Sequence, residues 1–335
     1  MKPSTVPTRL ATTVATTVAT TVAAFATLTL SPAPAQAQSG SWPNKPIRWV
    51  VPFAPGGLSD STTRAVTQRV AASLGQPVVV ENRAGANGGI GSAFVAKSAP
   101  DGYTYVSGST GTHAINPHLY KDLQYDALKD FAAVSALADY DLDLIVNAGS
   151  AYRSLAALLA ANKTKPGGLS YGSSGVGASN HLVSEMLGVL SNNKFVHVPY
   201  KGDGPALVDL MGGQIDFMFT PISSALQYEK VDKVRTLATT GAKRSPETPN
   251  VPIAKDVVPG MEFTGWNGVF TSAGTPAPIL NRMAQEITQA MTHPDVLKVF
   301  QGVTPAGSTP EVFAARVRRD YFIWEDIVKR SGAKG

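Results

Sequence analysis

The sequence predicts an α/β protein of two lobes, each a mostly parallel sheet flanked by helices, with a cleft between the lobes. Three observations carry that prediction. Short β-rich runs alternate with helical patterns from Ile47 to the C-terminus, as in parallel sheets with crossover helices. The strand candidates end in loops rich in Gly, Ser, Thr and Asn. The 335 residues, less an N-terminal leader, suffice for two domains of ordinary size.

The leader comes first. Residues 1–37 carry Lys2 and Arg9 and no Asp or Glu, then a Thr/Val/Ala run, then Ala35-Gln36-Ala37, which fits the small-x-small cleavage rule. The many threonines make a poor membrane span, and no basic stop-transfer cluster follows. The expectation is a cleaved export signal over residues 1–37. With no cysteine there is neither a lipid-anchored residue at the cleavage point nor a disulfide. The mature chain is therefore expected free in an oxidising compartment such as a bacterial periplasm. Its charge of +5 falls to +3 once the leader's two basic residues are gone. Those charges are scattered, and Arg316, Arg318 and Arg319 sit on an amphipathic helical pattern, so nucleic acid is excluded as a partner.

The first strand, residues 47–53, runs into Ala54-Pro55-Gly56-Gly57-Leu58-Ser59-Asp60. Val66, Val70 and Leu74 fall four apart and predict a helix that Ser59 or Asp60 caps and Gly75 stops. Val78-Val79-Val80-Glu81 leads to Gly85-Ala86-Asn87-Gly88-Gly89 and a helix around Phe94. A third strand, residues 103–107, ends in Gly108-Ser109-Thr110-Gly111-Thr112. A second set begins near Leu142. It holds a helix over 155–161 opened by Ser154 and a strand over 169–172 ending in Ser173-Ser174-Gly175-Val176-Gly177-Ala178-Ser179. Leu182, Met186 and Leu190 mark a helical face. Strands over 195–198, 215–219 and 234–238 follow, with a helix over 205–211. The Pro-rich residues 245–259 read as a crossing linker, and 263–271 as one more strand. Ile279, Met283, Ile287 and Met291 make a helical stripe. Thr309 then caps a last helix with Pro310 at its first position, burying Phe313, Val317, Tyr321, Trp324 and Val328. These stripes read as core rather than as cofactor boxes.

Catalytic and metal signatures are weak. Ser109, Ser173, Ser174 and Ser179 lie in loops but in no Gly-x-Ser-x-Gly elbow, and the five histidines are spread along the chain. There is no thiol, no His-x-x-x-His pair and no dense acidic loop, so neither metal nor catalytic residue is expected. Gly175-Val176-Gly177-Ala178-Ser179-Asn180 approaches a dinucleotide fingerprint, but Asn180 replaces the third glycine, and no cofactor is expected. The loops read better as binding elements. Glycine-rich, cation-poor loops at strand ends can turn backbone N–H groups toward one anion. Open parallel sheets bind ligands beyond the carboxyl ends of their strands. Pro55-Gly56-Gly57 is also explicable as a tight turn alone. Asp60 is an awkward anion ligand; it reads as a cap, as a support for a neighbouring serine or amide, or as an acceptor from an ammonium or water. Lys201 is the cation nearest a second-set strand end.

These residues resemble the solute receptors of the tripartite tricarboxylate transporter type, the Bug-type periplasmic binding proteins. The resemblance rests on Val51-Pro52-Phe53-Ala54-Pro55-Gly56-Gly57 with Asp60 and Arg64, Val80-Glu81-Asn82-Arg83, and Pro100-Asp101-Gly102-Tyr103-Thr104. It continues through Val198-Pro199-Tyr200-Lys201-Gly202, Asp209-Leu210-Met211-Gly212-Gly213-Gln214-Ile215-Asp216, Trp266-Asn267-Gly268 and Ser308-Thr309-Pro310-Glu311, spanning the mature chain in order. Ile253 and Asp256 stand where the family usually has Thr and Glu.

The resemblance implies a type II periplasmic-binding fold. Lobe 1 would comprise 42–142 with 263–335, and lobe 2 would comprise 143–262. It implies no enzyme, but a receptor that captures a small organic acid by hinge closure and delivers it to membrane permease subunits; a membrane sensor is the alternative partner. The ligand residues it implies are Ala54, Gly57, Ser59, Asp60, Asn87, Gly88, Ser109 and Thr112, with Ser174, Ser179, Tyr200 and Thr220 from the other lobe. Asp216 begins its strand at the far end and reads as structural.

Overall fold

A computed structural model describes residues 42–200, 202–300 and 302–334; the leader assignment and Lys201 lie outside the described residues. Its strands are β1 (Ile47–Val51), β2 (Val78–Asn82), β3 (Thr104–Ser109), β4 (Phe131–Asn147), β5 (Ser170–Ser173), β6 (Val196–Pro199), β7 (Phe217–Pro221), β8 (Val234–Thr239), β9 (Thr264–Ser272) and β10 (Thr304–Pro305). Its helices are α1 (Leu58–Leu74), α2 (Gly89–Ala96), α3 (Asn116–Leu119), α4 (Leu155–Thr164), α5 (Ser179–Ser191), α6 (Asp203–Met211), α7 (Ile222–Glu229), α8 (Ala277–Ala290), α9 (Pro294–Leu297) and α10 (Pro310–Ser331). Among the described residues no helix is long and apolar enough to cross a membrane.

The strands follow the order β2-β1-β3-β9-β4-β7-β5-β6, with β8 and β10 paired to β4 off this path. Each half has a parallel centre: β1 runs parallel to β2 and β3, and β5 to β6 and β7. The strands that cross between the halves arrive antiparallel. β4 pairs with β9 over residues 131–141, then with β7 from Leu142 and with β8 from Asp143. The architecture is thus two-lobed and α/β, with a mixed sheet continuous through one long strand. What reads in the sequence as the start of a second set at Leu142 is the far end of that 17-residue strand. Its first half is rich in Ala, which has little β-propensity; pairing with β9 imposes the extended form.

Apolar burial follows the expected stripes. Met283, Ile287 and Met291 are buried against Val134 and Leu137 of β4, and Phe313, Val317, Trp324 and Val328 of α10 against the opposite side. Thr309 accepts from the Val312 amide as the cap of α10, with Pro310 in its first turn. Two elements differ from expectation. Neither Ser59 nor Asp60 caps α1: the helix begins at Leu58, and its cap, Gly57, offers no side chain. The expected loop over 108–112 is instead the end of β3 followed by a π-helical turn, Gly111–Ile115.

Candidate functional site

Chain segments from both halves of the sheet line a cavity of about 350 Å³ that is open to solvent. From the first half it is reached by Phe53, Gly57 to Asp60, Asn87, Ser109 and Gly111, and from the second by Ser174, Gly177 to Asn180, Asp203 and Pro221. Tyr140 and Leu142 of β4 and Asn267 of β9 lie between them.

Among the described residues four helices start at this cavity. α1 follows Gly57, α5 follows Ala178, α6 follows Gly202 and α7 follows Pro221, none with a side-chain cap. The first N–H groups of an α-helix have no acceptor in the helix, and its N-terminus carries about half a positive charge. α1 and α6 carry Asp60 and Asp203 in their first turns, whereas α5 carries no acid there. Ser59 adds a second signal at the start of α1. The residue lines the cavity and is only 7% exposed, and Oγ has no hydrogen-bond partner among the described residues. Buried hydroxyls in folded proteins are normally paired, so an orphan on a cavity wall points to a ligand atom.

Asp60 is already committed. It accepts from the Gly56 amide at 3.0 Å, from Arg64 Nε at 3.0 Å and from Asn82 Nδ2 at 2.9 Å. Burial opposes its ionisation, yet Arg64, the Gly56 amide and Asn82 together hold its carboxyl below the usual range. Asp60 therefore fixes the Pro55-Gly56-Gly57 turn, and its contribution to stability is lost only as pH falls through that lowered value.

The walls touch across the cavity. Asn87 Nδ2 donates to Gly177 O at 3.0 Å and to Asn116 Oδ1 at 2.9 Å. Tyr120 Oη donates to Val176 O at 3.3 Å, and Tyr140 Oη and Ser179 Oγ lie 3.1 Å apart. Gly177 has φ +81°, and a Cβ there would stand 2.7 Å from Leu119 Cδ2, so only glycine permits this approach.

Of the residues singled out from the sequence, Gly57, Ser59, Asp60, Asn87, Ser109, Ser174 and Ser179 line the cavity. Ala54, Gly88, Thr112, Tyr200 and Thr220 do not line it. Ala54 is exposed outside the turn. Gly88 lets its loop pack on Phe53 and Thr112, where a Cβ would come within 2.6 Å of Thr112 Cγ2. Thr112 stands behind Ser109, whose amide donates to its Oγ1 at 2.8 Å. Tyr200 turns away and donates to Asp209 at 2.6 Å, and burial pushes its hydroxyl up to about 12.

Thr220 is fully buried beside Asp143 of β4, which has Thr239 of β8 on its other side. Among the described residues no side-chain oxygen of the three has a hydrogen bond of acceptable geometry. Burial pushes Asp143 up to about 7. A carboxyl raised in the folded state lowers stability as pH climbs from the ordinary carboxylate range through that value. Asp143→Asn is therefore expected to raise Tm at pH 8, with the gain shrinking toward pH 4 in paired thermal melts.

Residues 62–319 match the family described as "Tripartite tricarboxylate transporter family receptor". The chain belongs to that receptor family. Protein BugT of Bordetella pertussis is 34% identical over 304 residues, 90% of this chain and 93% of BugT. Among solved structures, R. palustris Rpa4515 with adipate is 31% identical with a TM-score of 0.76, covering 87% of this chain and 98% of that one. MatC from Rhodopseudomonas palustris with bound malate is 31% identical with a TM-score of 0.74, covering 85% and 99%. These neighbours share the two-lobed fold.

In this receptor several lining residues escape a reading of the sequence. Tyr140 and Asn267 come from β4 and β9, far from any loop, and only the strand register brings them to the cavity. Asn180 carried a usable signal, since it breaks the glycine pattern of its loop. Its Oδ1 accepts from the Ser174 amide and hydroxyl, and its Nδ2 donates to Asp203.

Proposed function

We propose that this receptor captures a small carboxylate in the cavity and delivers it to membrane permease subunits of a tripartite transporter. Residues 1–37 direct export to the periplasm and are removed. The ligand docks on the lobe of residues 42–142 with 263–335, and the lobe of 143–262 closes over it by a hinge. Closure follows because the ligand contacts both walls only in the closed arrangement and so binds that state better. One observation carries the reading: the uncapped N-termini of α1 and α5, from opposite halves, meet at one cavity where the Ser59 hydroxyl is unpaired among the described residues. Relatives solved with adipate and with malate support a carboxylate.

No enzymatic role is proposed. The closest serine–histidine approach near the cavity is Ser173 Oγ to His197 Nε2 at 2.6 Å, but Ser173 is fully buried and does not line the cavity. Burial holds His197 down at about 4, and no carboxylate orients its ring among the described hydrogen bonds.

A thermal-shift screen of residues 38–335 against small organic acids should find at least one that raises Tm. A hydrogen bond to a charged group contributes about 1.5–3 kcal/mol, so Ser59→Ala should weaken that acid about tenfold or more by calorimetry. Ser174→Ala should also weaken it. A screen in which no acid stabilises the protein would overturn the reading.

A further inference from the structure

We infer that Asp203 selects ligands whose far end is a hydrogen-bond donor, an ammonium, primary amide or hydroxyl, and rejects those ending in a second carboxylate. The inference rests on the receptor reading above and specifies its ligand. Among the described residues, the only charged side chains lining the cavity are Asp60 and Asp203. Asp60 is consumed by Gly56, Arg64 and Asn82. Asp203 is less committed. Its Oδ1 accepts from Asn180 Nδ2 at 2.8 Å, and the Ser174 hydroxyl lies near enough to favour its charged form. A carboxylate has about four acceptor sites, so capacity for a ligand donor is left over.

Burial pushes the Asp203 carboxyl up from its ordinary value, with Asn180 and Ser174 opposing the rise. A half-buried carboxylate with acceptor capacity left over gains most from a donor, and most of all from a cation. The cavity is therefore asymmetric. The starts of α1 and α5 offer N–H groups and Ser59 its hydroxyl, while the start of α6 adds the Asp203 carboxylate as an acceptor. A ligand with a carboxylate at one end and a donor at the other satisfies both. A dicarboxylate of the same length would set its second charge against Asp203 with no lining cation among the described residues to relieve it.

The test uses one carbon skeleton with different ends. Calorimetric titration of the mature wild-type protein with valerate, glutarate, glutaramate and 5-aminopentanoate should rank the amide and the amine at least tenfold tighter than glutarate. In Asp203→Asn, whose fold is checked by its melting curve, that ratio should fall at least tenfold. A wild-type protein that prefers glutarate tenfold or more overturns the inference without recourse to any variant, and so does an unchanged ratio in a folded Asp203→Asn. If valerate and glutarate bind while the donors give no advantage, the receptor reading stands and the role of Asp203 falls. If none of the four binds and the organic-acid screen is also blank, both fall.

Discussion

Gly177→Val is expected to weaken ligand binding about thirtyfold or more while leaving the protein folded. The loss follows from what the new side chain would meet. At position 177 a Cβ stands 2.7 Å from Leu119 Cδ2 and 3.1 Å from both Asn87 Nδ2 and Tyr120 Oη. All three belong to the opposite wall, so the clash exists only when the walls are together. Forcing extra methyl groups into a packed contact costs about 1–3 kcal/mol. The bonds from Asn87 to Gly177 O and from Tyr120 to Val176 O would be strained or lost, at about 0.5–1.5 kcal/mol each. Under the proposed hinge closure, such a penalty on the closed state alone would shift the equilibrium toward an open form, and apparent affinity would fall with the competent fraction.

The positive φ of Gly177 adds about 1–2 kcal/mol of backbone strain in both states, which lowers Tm but not affinity. Gly167→Val separates the two effects. Gly167 has φ +79°, and a Cβ there meets nothing within 4 Å. That variant should lose a similar amount of Tm and keep the wild-type Kd. Equal affinities for the two valine variants would mean that this contact has no part in capture.

Phe313→Ala should cost about 3–5 kcal/mol of folding stability, the range for deleting a buried aromatic ring. Phe313 is 1% exposed and joins α10 to the middle of β9. Its ring meets Trp266 edge-on at 5.1 Å and Phe270 at 5.1 Å. It also fills the space above Gly268, where a Cβ would fall 2.0 Å from the ring, so no side chain there can close the void left by alanine. Urea unfolding followed by tryptophan fluorescence measures the loss. Ligand affinity well below the transition should hardly change, because Phe313 does not line the cavity. A cost below about 1 kcal/mol would show that the C-terminal helix is not part of this core.

α10 was legible almost residue by residue because its signals are local. A threonine cap, a proline in the first turn and a 3.6-residue apolar stripe need no knowledge of the rest of the chain. The loops after β1, β2 and β5 were legible for the same reason, and with them Ser59, Asn87 and Ser174. β4 was not. Its alanines carry no strand signal, and its extension is dictated by β9 from more than a hundred residues away. Tyr140 and Asn267 are hidden with it, as is Asp203, which reaches the cavity only because α6 starts beside β5. Thr112 and Gly88 show the reverse case. They share loops with true lining residues, but their side chain or missing Cβ shapes the wall from behind.

The most direct measurement is a crystal structure of the mature protein with the acid that gives the largest thermal shift. The carboxylate should lie within hydrogen-bond distance of Ser59 Oγ and of main-chain N–H groups at the start of α1, with α5 facing it from the other wall. An acid bound away from those helix starts, or held only by side-chain cations, would contradict the account.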